Sequence, residues 1–381
     1  MKLLHTSDWH LGMTVRGGVS YLEDQRFMLK EICRIAGEQE AEGILLAGDV
    51  FDKSIASKEA LELYDEIMTY LCGELGLPVI MIAGNHDGAE RISRCRKLLQ
   101  NSGLYIAGAL EKEPHVVHRG DTDIWLLPWI STDKVRTLFP GEAEGISSME
   151  DAYRTVLDHY RAFFTEGRKN ILVAHAFVAG GDTSVSDRAA EVGNATVVNA
   201  GVFHGFDYVA LGHLHGPQAI TPSIRYSGTP MAYSFGKEEK QEKSVVILDT
   251  DTMETKTVPL PQLHKRMTLT GPFDELLRAD YPEEVLEAYL RLEVTDSYVG
   301  LEAASALKER YPNLLEISGK GFEKEDSRIT MTIEEFETAE HDPGSVFERY
   351  CKDILEEAPG EHLQGLFRTA LARYEREVQE P

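Results

Sequence analysis

The sequence predicts an α/β fold: two sheets flanked by helices over residues 1–265, a small α+β unit over 266–340, and helices over 341–381. Three observations lead there. Apolar strand-like runs alternate with helical patterns in the first half, shorter strand-like runs cluster in the middle, and the pattern changes character after residue 265. A chain of 381 residues exceeds one domain of roughly 100–200 residues. Its 42% hydrophobic content supports packed cores, because disorder requires low hydrophobicity as well as high charge.

The elements follow in order. Lys2–Ser7 reads as a strand and Leu22–Glu40 as a helix. Gly43–Ala47 is a strand and Lys58–Leu75 a helix, then Pro78–Ala83 a strand and Arg91–Gln100 a helix. Strands alternating with helices of this length imply βαβ units and a largely buried sheet. His115–His118 and Asp123–Leu127 read as shorter strands, Met149–Thr165 as a helix, and Asn170–Ala174, Asp207–Leu211, Ser223–Ser227 and Ser244–Leu248 as strands that complete a sheet-rich block. Beyond it, Met267–Leu269, Tyr289–Val294 and Ile329–Ile333 read as strands and Gly300–Arg310 as a helix. Past Asp342-Pro343 come two helical patterns, separated by Ala358-Pro359-Gly360. The first carries Val346, Phe347, Tyr350, Ile354 and Leu355. The second carries Leu363, Leu366, Phe367, Ala370, Leu371, Tyr374 and Val378 on one face.

Composition excludes several classes. No run approaches the ~20 apolar residues that cross a bilayer, and MKLLHTSDWH lacks the apolar stretch of a signal peptide, so a cytoplasmic protein is expected. Cys33, Cys72, Cys95 and Cys351 form no C-x-x-C pair, and three of them fall in helical patterns, so buried reduced thiols are expected. The net charge of −25 argues against an unaided polyanion binder, since nucleic-acid affinity rests mainly on Lys and Arg contacts to phosphate.

The chemistry is concentrated in five clusters at strand ends: Asp8-Trp9-His10, Gly48-Asp49-Val50-Phe51-Asp52, Gly84-Asn85-His86-Asp87, Ala174-His175 and Gly212-His213-Leu214-His215. A parallel sheet presents such residues at the carboxyl ends of its strands. Residues two apart on an extended segment point the same way, so Asp8/His10 and His213/His215 can each converge. A glycine before Asp49, Asn85 and His213 permits a sharp exit and close backbone approach. Five of the thirteen histidines lie in these clusters. Imidazole with carboxylate suits ions such as Mn, Fe and Zn, and two ions ~3.5–4 Å apart clamp an in-line displacement at phosphorus, with one carboxylate bridging them. Taken singly, a D-x-H is most often a surface loop, a G-N-H-D a turn, and a G-H-x-H a satisfied pair of core histidines. The ordered set is what points to a metal centre.

That ordered set resembles the signature of calcineurin-like metallophosphoesterases. HTSDWHLG at His5–Gly12, AGDVFD at Ala47–Asp52, GNHD at Gly84–Asp87, DYVALGHLH at Asp207–His215 and YSGTPMAYSF at Tyr226–Phe235 are similar to the SbcD family, the nuclease subunits of bacterial double-strand-break repair. The resemblance implies a two-sheet metallophosphoesterase sandwich over 1–265, a capping unit that engages DNA over 266–340, and C-terminal helices that grip the SbcC ATPase. It implies that Asp8, His10, Asp49 and His215 hold one divalent ion, with Asp49, Asn85, His175 and His213 holding the other. Mn2+ is the expected ion, with Mg2+, Fe2+ or Zn2+ as alternatives. His86 would face the scissile phosphate, and Asp87 would orient its ring. Asp52 stands where archaeal and eukaryotic relatives tend to carry a histidine and is read as outer support.

Arg91, Arg94, Arg96 and Lys97 form the densest basic cluster, read either as a path for the DNA backbone or as a solvated helix face. Trp9 and Phe51 read as packing, and Thr183–Arg188 as a loop near His175. The expected function is a DNA exonuclease and endonuclease working with SbcC as a heterotetramer, with a homodimer and nucleoid association implied by the family. A small-molecule phosphodiesterase and a catalytically silent scaffold are the alternatives. The ~115 residues after the catalytic block argue against the first, and the complete ligand set against the second. A calcineurin-type protein phosphatase is disfavoured because Lys53-Ser54, and not Arg-Gly, follow Asp52.

Overall fold

The structure is a computed structural model that describes residues 1–14, 20–187, 197–296, 301–319, 360 and 363–367. The expected strand Ile329–Ile333, the helical pattern from Val346 to Leu355, most of the last helical pattern, Cys351 and Arg188 lie outside the described residues. Only residues 363–367 of the C-terminal region are seen as helix.

Two six-stranded sheets form the body. The first is built from β1 (Lys2–Thr6), β2 (Gly43–Ala47), β3 (Val79–Ile82), β4 (Leu104–Ala107), β11 (Ser244–Asp249) and β12 (Glu254–Pro259), in the order β12-β11-β1-β2-β3-β4. The second is built from β5 (His115–Arg119), β6 (Thr122–Leu127), β7 (Lys169–His175), β8 (Tyr208–Gly212), β9 (Gln218–Thr221) and β10 (Ile224–Tyr226), in the order β5-β6-β7-β8-β10-β9. Strands β1 to β4 run parallel, as do β6, β7, β8 and β10.

Alternation within each strand builds three layers of core. Leu3, Leu45, Ile80 and Ile82 of the first sheet face Ile124, Leu126, Ile171, Val173 and Ala210 of the second. On the other face of the first sheet, Leu4, Ile44, Leu46, Val79 and Met81 pack under helices α1 (Leu22–Glu38) and α2 (Lys58–Met68). On the outer face of the second, Trp125, Leu172, Val209 and Leu211 pack under α6 (Met149–Arg161), whose Tyr153, Val156, Leu157 and Tyr160 fall at helical spacing. A capping box of Ser148 and Asp151 starts that helix. With both faces covered, the central strands read as unbroken apolar runs.

Departures from the sequence reading have local causes. The helix expected to run to Leu75 stops at Met68 and continues as a π-helical turn, Thr69–Glu74. The helix expected over Arg91–Gln100 is two short pieces, α3 (Ala89–Ile92) and α4 (Arg96–Leu99), because Cys95 takes φ 58°, which a right-handed helix cannot accommodate. Cys95 is exposed and Cys72 half-buried, so of the three described cysteines only Cys33 is buried as expected; all three are free thiols. Strands β4, β9 and β12, and helix α5 (Thr132–Leu138), have patterns too short or too polar to stand out in the sequence. Helix α7 (Lys237–Lys240) precedes β11.

A third sheet follows, of three parallel strands: β13 (Arg266–Gly271), β14 (Tyr289–Val294) and β15 (Leu314–Gly319). Helices α8 (Phe273–Arg278), α9 (Glu283–Glu287) and α10 (Leu301–Arg310) accompany it, and Leu276, Leu290, Leu292, Leu307 and Tyr311 form its core. It is tied to the body through α1. Tyr289 and His264 both bond the Asp24 carboxylate, and Arg266 lies over the rings of Tyr21 and Phe235. Among the described residues, no helix is long and apolar enough to cross a membrane.

His5 sits between the two main sheets with both ring nitrogens used. Nε2 donates to the Leu211 carbonyl at 3.1 Å, and Nδ1 accepts from the Tyr208 hydroxyl at 3.0 Å. Burial lowers its pKa to about 3, so the folded protein excludes a proton that the unfolded chain takes up below its ordinary value near 6.5. This contribution to stability is complete above pH 6.5 and is lost as the pH falls toward 3. Between pH 7 and 5 the loss is on the order of 2 kcal/mol. His5→Gln can keep both hydrogen bonds without titrating. Its denaturation midpoint, followed by tryptophan fluorescence in chelator, should fall correspondingly less than wild type over that pH range.

Candidate metal centre

The five clusters meet where the carboxyl ends of both parallel blocks come together. Asp8 and His10 follow β1, Asp49 follows β2, Asn85 and His86 follow β3, His175 ends β7, and His213 and His215 follow β8. Their convergence does not come from extended alternation. Asp8, His10, Asp49 and His213 have φ of 53°, 45°, 48° and 107°, so the chain kinks at each one and turns its side chain inward. Non-glycine residues avoid this region, and such strain gathers at functional sites. Main-chain bonds hold the kinks: Asp8 N donates to Gly48 O at 2.9 Å and His10 N to Asp49 O at 3.0 Å.

Asp49 is central. Its Oδ2 lies 3.3 Å from His175 Nε2, 3.9 Å from His10 Nε2 and 4.0 Å from His86 Nε2, while Oδ1 accepts the His86 amide at 2.8 Å. Donor atoms of Asp8, His10 and His215 lie within 4.8 Å of one another, as do those of Asp8, Asp49 and His175. On the other side, Asn85 Oδ1 faces His175 Nε2 at 2.9 Å and His213 Nδ1 at 3.1 Å. Asp49 therefore stands between an Asp8/His10/His215 group and an Asn85/His175/His213 group.

The donor chemistry fits divalent cations. His175 Nδ1 lies 2.8 Å from the Ala47 carbonyl, which can only accept, so Nδ1 carries the hydrogen. Nε2 then faces the oxygens of both Asp49 and Asn85, either donating a proton to them or, once that proton is lost, turning a lone pair toward a shared cation. His10 Nδ1 is buried without a hydrogen-bond partner, and His10 Nε2 faces His215 Nε2 at 3.1 Å. Burial lowers the pKa of His10, and that of His213 to about 3, which keeps them neutral, the ligating form. For Asp49, burial opposes ionisation, but His175, His10 and His86 outweigh it and hold the carboxyl well below its usual range. The same Asp49 charge raises His175 to about 9 against the effect of burial. Burial, then Asp49, raises Asp8 to about 8; a bound cation would reverse that.

Outer contacts orient these side chains, as such contacts do around metal sites. Ser7 Oγ donates to Asp8 Oδ2 at 2.5 Å and His213 N donates to Asp8 Oδ1 at 3.0 Å. The ring of Trp129 stacks on His213, with centroids 5.4 Å apart. His86 Nδ1 donates to the main-chain carbonyl of Asp52 at 2.8 Å, so the support from residue 52 comes through its backbone. The Asp87 carboxylate lies on the amides of Val50, Phe51 and Gly84 at 2.9–3.2 Å; it joins the loops after β2 and β3, while the Asp52 carbonyl holds the His86 ring. Trp9 is fully buried, its indole bonded to Thr6.

The basic cluster is divided. Arg96 pairs with Glu111 and Arg91 donates to the Ser54 carbonyl at 2.9 Å, whereas Arg94 and Lys97 are exposed. The 183–187 segment reaches His215 and not His175: Ser186 Oγ is 2.6 Å from His215 Nδ1, and Asp187 accepts the His215 amide at 2.8 Å. Sequence reasoning missed Ser186, Asp187, Trp129, Glu238 and Lys243. Nothing in the spacing separates Glu238 from Glu239 and Glu242. A lysine immediately before the apolar strand SVVIL is the one signal that was available.

Two family models match the chain. One, described as calcineurin-like phosphoesterase, covers residues 1–217, and a second, described as type 5 capsule protein repressor C-terminal domain, covers residues 262–354. The SbcD component of the nuclease SbcCD from Staphylococcus epidermidis is 31% identical over 361 residues, 94% of each chain. The chain belongs to the SbcD family of calcineurin-like phosphoesterases. A second SbcD relative, from Staphylococcus saprophyticus, is 31% identical over 366 residues, 95% of this chain and 94% of that one. A solved archaeal phosphodiesterase overlaps 68% of this chain and 100% of its own, at 14% identity and a TM-score of 0.31.

Glycine at position 84 is required by this geometry. A Cβ there would lie 2.2 Å from Asp49 Oδ1 and 2.4 Å from Asp49 N, so Asp49 would have to move. Gly84→Ala should weaken Mn2+ binding by roughly tenfold or more, the scale of a displaced ligand support. Calorimetric titration measures this directly; unchanged affinity would show that Asp49 is not a ligand.

Proposed function

We propose that this SbcD-family nuclease hydrolyses DNA phosphodiester bonds with two divalent cations, Mn2+ foremost, and works with the SbcC ATPase in the cytoplasm. The observation that carries the reading is Asp49, a buried carboxylate standing between two groups of imidazole and oxygen donors at the junction of the sheets. Asp8, His10, Asp49 and His215 would hold one cation, and Asp49, Asn85, His175 and His213 the other. Such a pair polarises the phosphoryl oxygens and supplies a nucleophile at neutral pH. We assign His86 to proton chemistry, although its donor atom also groups with those of His10 and Asp49 within 4.8 Å: with Nδ1 committed to the Asp52 carbonyl, Nε2 faces the centre and is the atom that would protonate the departing oxygen or bond the phosphate.

DNA reaches an acidic protein. Residues 266–381 hold 13 Lys+Arg and 27 Asp+Glu, a net of −14, and residues 1–265 hold 26 and 37, a net of −11. Two bound cations reverse the local field only at the chemistry, so the nuclease alone should bind DNA weakly and the ATPase should supply much of the affinity. We read the basic Arg91, Arg94, Arg96 and Lys97 stretch as the local path for the phosphate backbone; that Arg91 and His86 both bond the 52–54 segment supports this reading. We assign residues 1–265 to hydrolysis, 266–340 to DNA engagement and 341–381 to the ATPase. A homodimer is part of the same reading, as the family resemblance implies.

The test is cleavage of linear double-stranded DNA with Mn2+, with and without the ATPase and ATP, beside bis-p-nitrophenyl phosphate. His86→Ala should retain Mn2+ and lose roughly a hundredfold or more in cleavage, the usual weight of a proton-transfer group. Asp49→Ala should lose both Mn2+ and cleavage. Activity on the small ester alone, even with the partner present, would favour a small-molecule phosphodiesterase. Removal of 342–381 should leave a metal-binding enzyme that no longer co-purifies with the ATPase; retained binding would discard that assignment.

A further inference from the structure

One side of the centre rests on a buried ion pair. Glu238 of α7 and Lys243, just before β11, are 1% and 2% exposed, with charged atoms 3.0 Å apart. Stability alone rarely calls for such a pair, since apolar groups of equal volume often serve as well. Here its bonds lead to His215. Lys243 Nζ donates to the His215 carbonyl at 3.0 Å, to Thr229 Oγ1 at 2.8 Å and to Glu238. Glu238 Oε1 accepts from the hydroxyls of Ser186, Ser184 and Ser234. A hydroxyl has one hydrogen, and Ser186 gives its own to the carboxylate. Its lone pair therefore accepts from His215 Nδ1, at 2.6 Å, and the His215 Nε2 lone pair is left facing the centre. Main chain and ring of His215 are both fixed from this one pair.

The pair also reaches His10. Glu238 Oε2 accepts the Tyr233 amide at 3.0 Å, and the Tyr233 ring lies 5.8 Å from that of His10. The Tyr233 hydroxyl donates to Trp9 O at 2.5 Å and accepts from Gln25, which also donates to His10 O at 2.8 Å. On the opposite side, the His175 ring is held by Ala47 and that of His213 by Trp129, through elements that do not involve the pair.

We propose that Glu238 and Lys243, acting through Ser186, are positioning residues for the cation on the His10/His215 side of the centre and not for the one on the Asn85/His175/His213 side. The inference rests on the two-cation reading above. None of the three touches a reacting atom; they act by fixing which nitrogen of His215 is bare and where it points.

The experiment is Mn2+ titration of the full-length protein by calorimetry, with electron paramagnetic resonance of the bound ions. Wild type should take up two ions and show the spin-coupled signal of a manganese pair. Ser186→Ala should weaken one ion by roughly 10–100-fold, the scale of losing a ligand's outer partner. The other ion should stay within about twofold and the coupled signal should give way to that of a single ion, while the thermal midpoint of the metal-free protein is unchanged. Ser186→Thr should restore the pair. Glu238→Gln alone strands a buried Lys243 charge, so Glu238→Gln/Lys243→Met is the second variant, with the same one-sided loss expected. Two ions bound as in wild type by Ser186→Ala would overturn the proposal. So would a parallel loss of both ions with a lowered midpoint, the mark of a merely structural role. Fewer than two ions on wild type would overturn the two-cation reading itself, and is distinguished because it shows before any substitution.

Discussion

Two carboxylates buried at one point, Asp8 and Asp49, constrain everything around them. Each is 2% exposed or less, and a buried carboxylate is costly unless paired and hydrogen-bonded. The molecule meets that cost by bringing the carboxyl ends of two parallel blocks together. One sheet brings the two acids, with His10, Asn85 and His86; the other brings His175, His213 and His215. Neither sheet alone carries a compensated site. The face-to-face packing of Leu45, Ile80, Ile82, Ile171 and Val173 that forms the middle of the core also sets the distance across which imidazoles and carboxylates meet.

The same constraint accounts for the backbone. Four of the converging residues adopt positive-φ conformations that L side chains avoid; main-chain bonds hold Asp8, His10 and Asp49, and the Asp8 carboxylate holds the His213 amide. The glycines among them answer to space. A Cβ on Gly212 would lie 2.0 Å from the Ala47 carbonyl, the group that fixes the tautomer of His175. Strain, close approach and tautomer control thus belong to a single arrangement.

The third sheet is joined to that arrangement through a short chain of contacts. Tyr289 bonds Asp24 of α1; the next residue, Gln25, bonds the His10 carbonyl and the Tyr233 hydroxyl; and Glu239, beside the buried Glu238, bonds Thr268 of β13. The 266–319 unit and the His10/His215 side of the centre therefore share supports, and the Asn85/His175/His213 side stands apart from them.

Much of this was legible in the sequence. Strand–helix alternation determined the α/β class, and the order of Asp8/His10, Asp49, Asn85/His86, His175 and His213/His215 determined the candidate site, because five ligand-type clusters each directly following an apolar strand converge where the carboxyl ends of the sheet's strands meet. Tertiary structure decided the rest. Periodicity has no term for a left-handed residue, so it ran a helix through Cys95 and credited the convergence of Asp8 with His10 to an extended strand. The sequence likewise marks the residues that would touch a metal without marking what holds them. Ser186, Glu238, Lys243 and the Asp52 carbonyl are ordinary residues in ordinary positions, and they reach the centre only because folding packs them against His215 and His86.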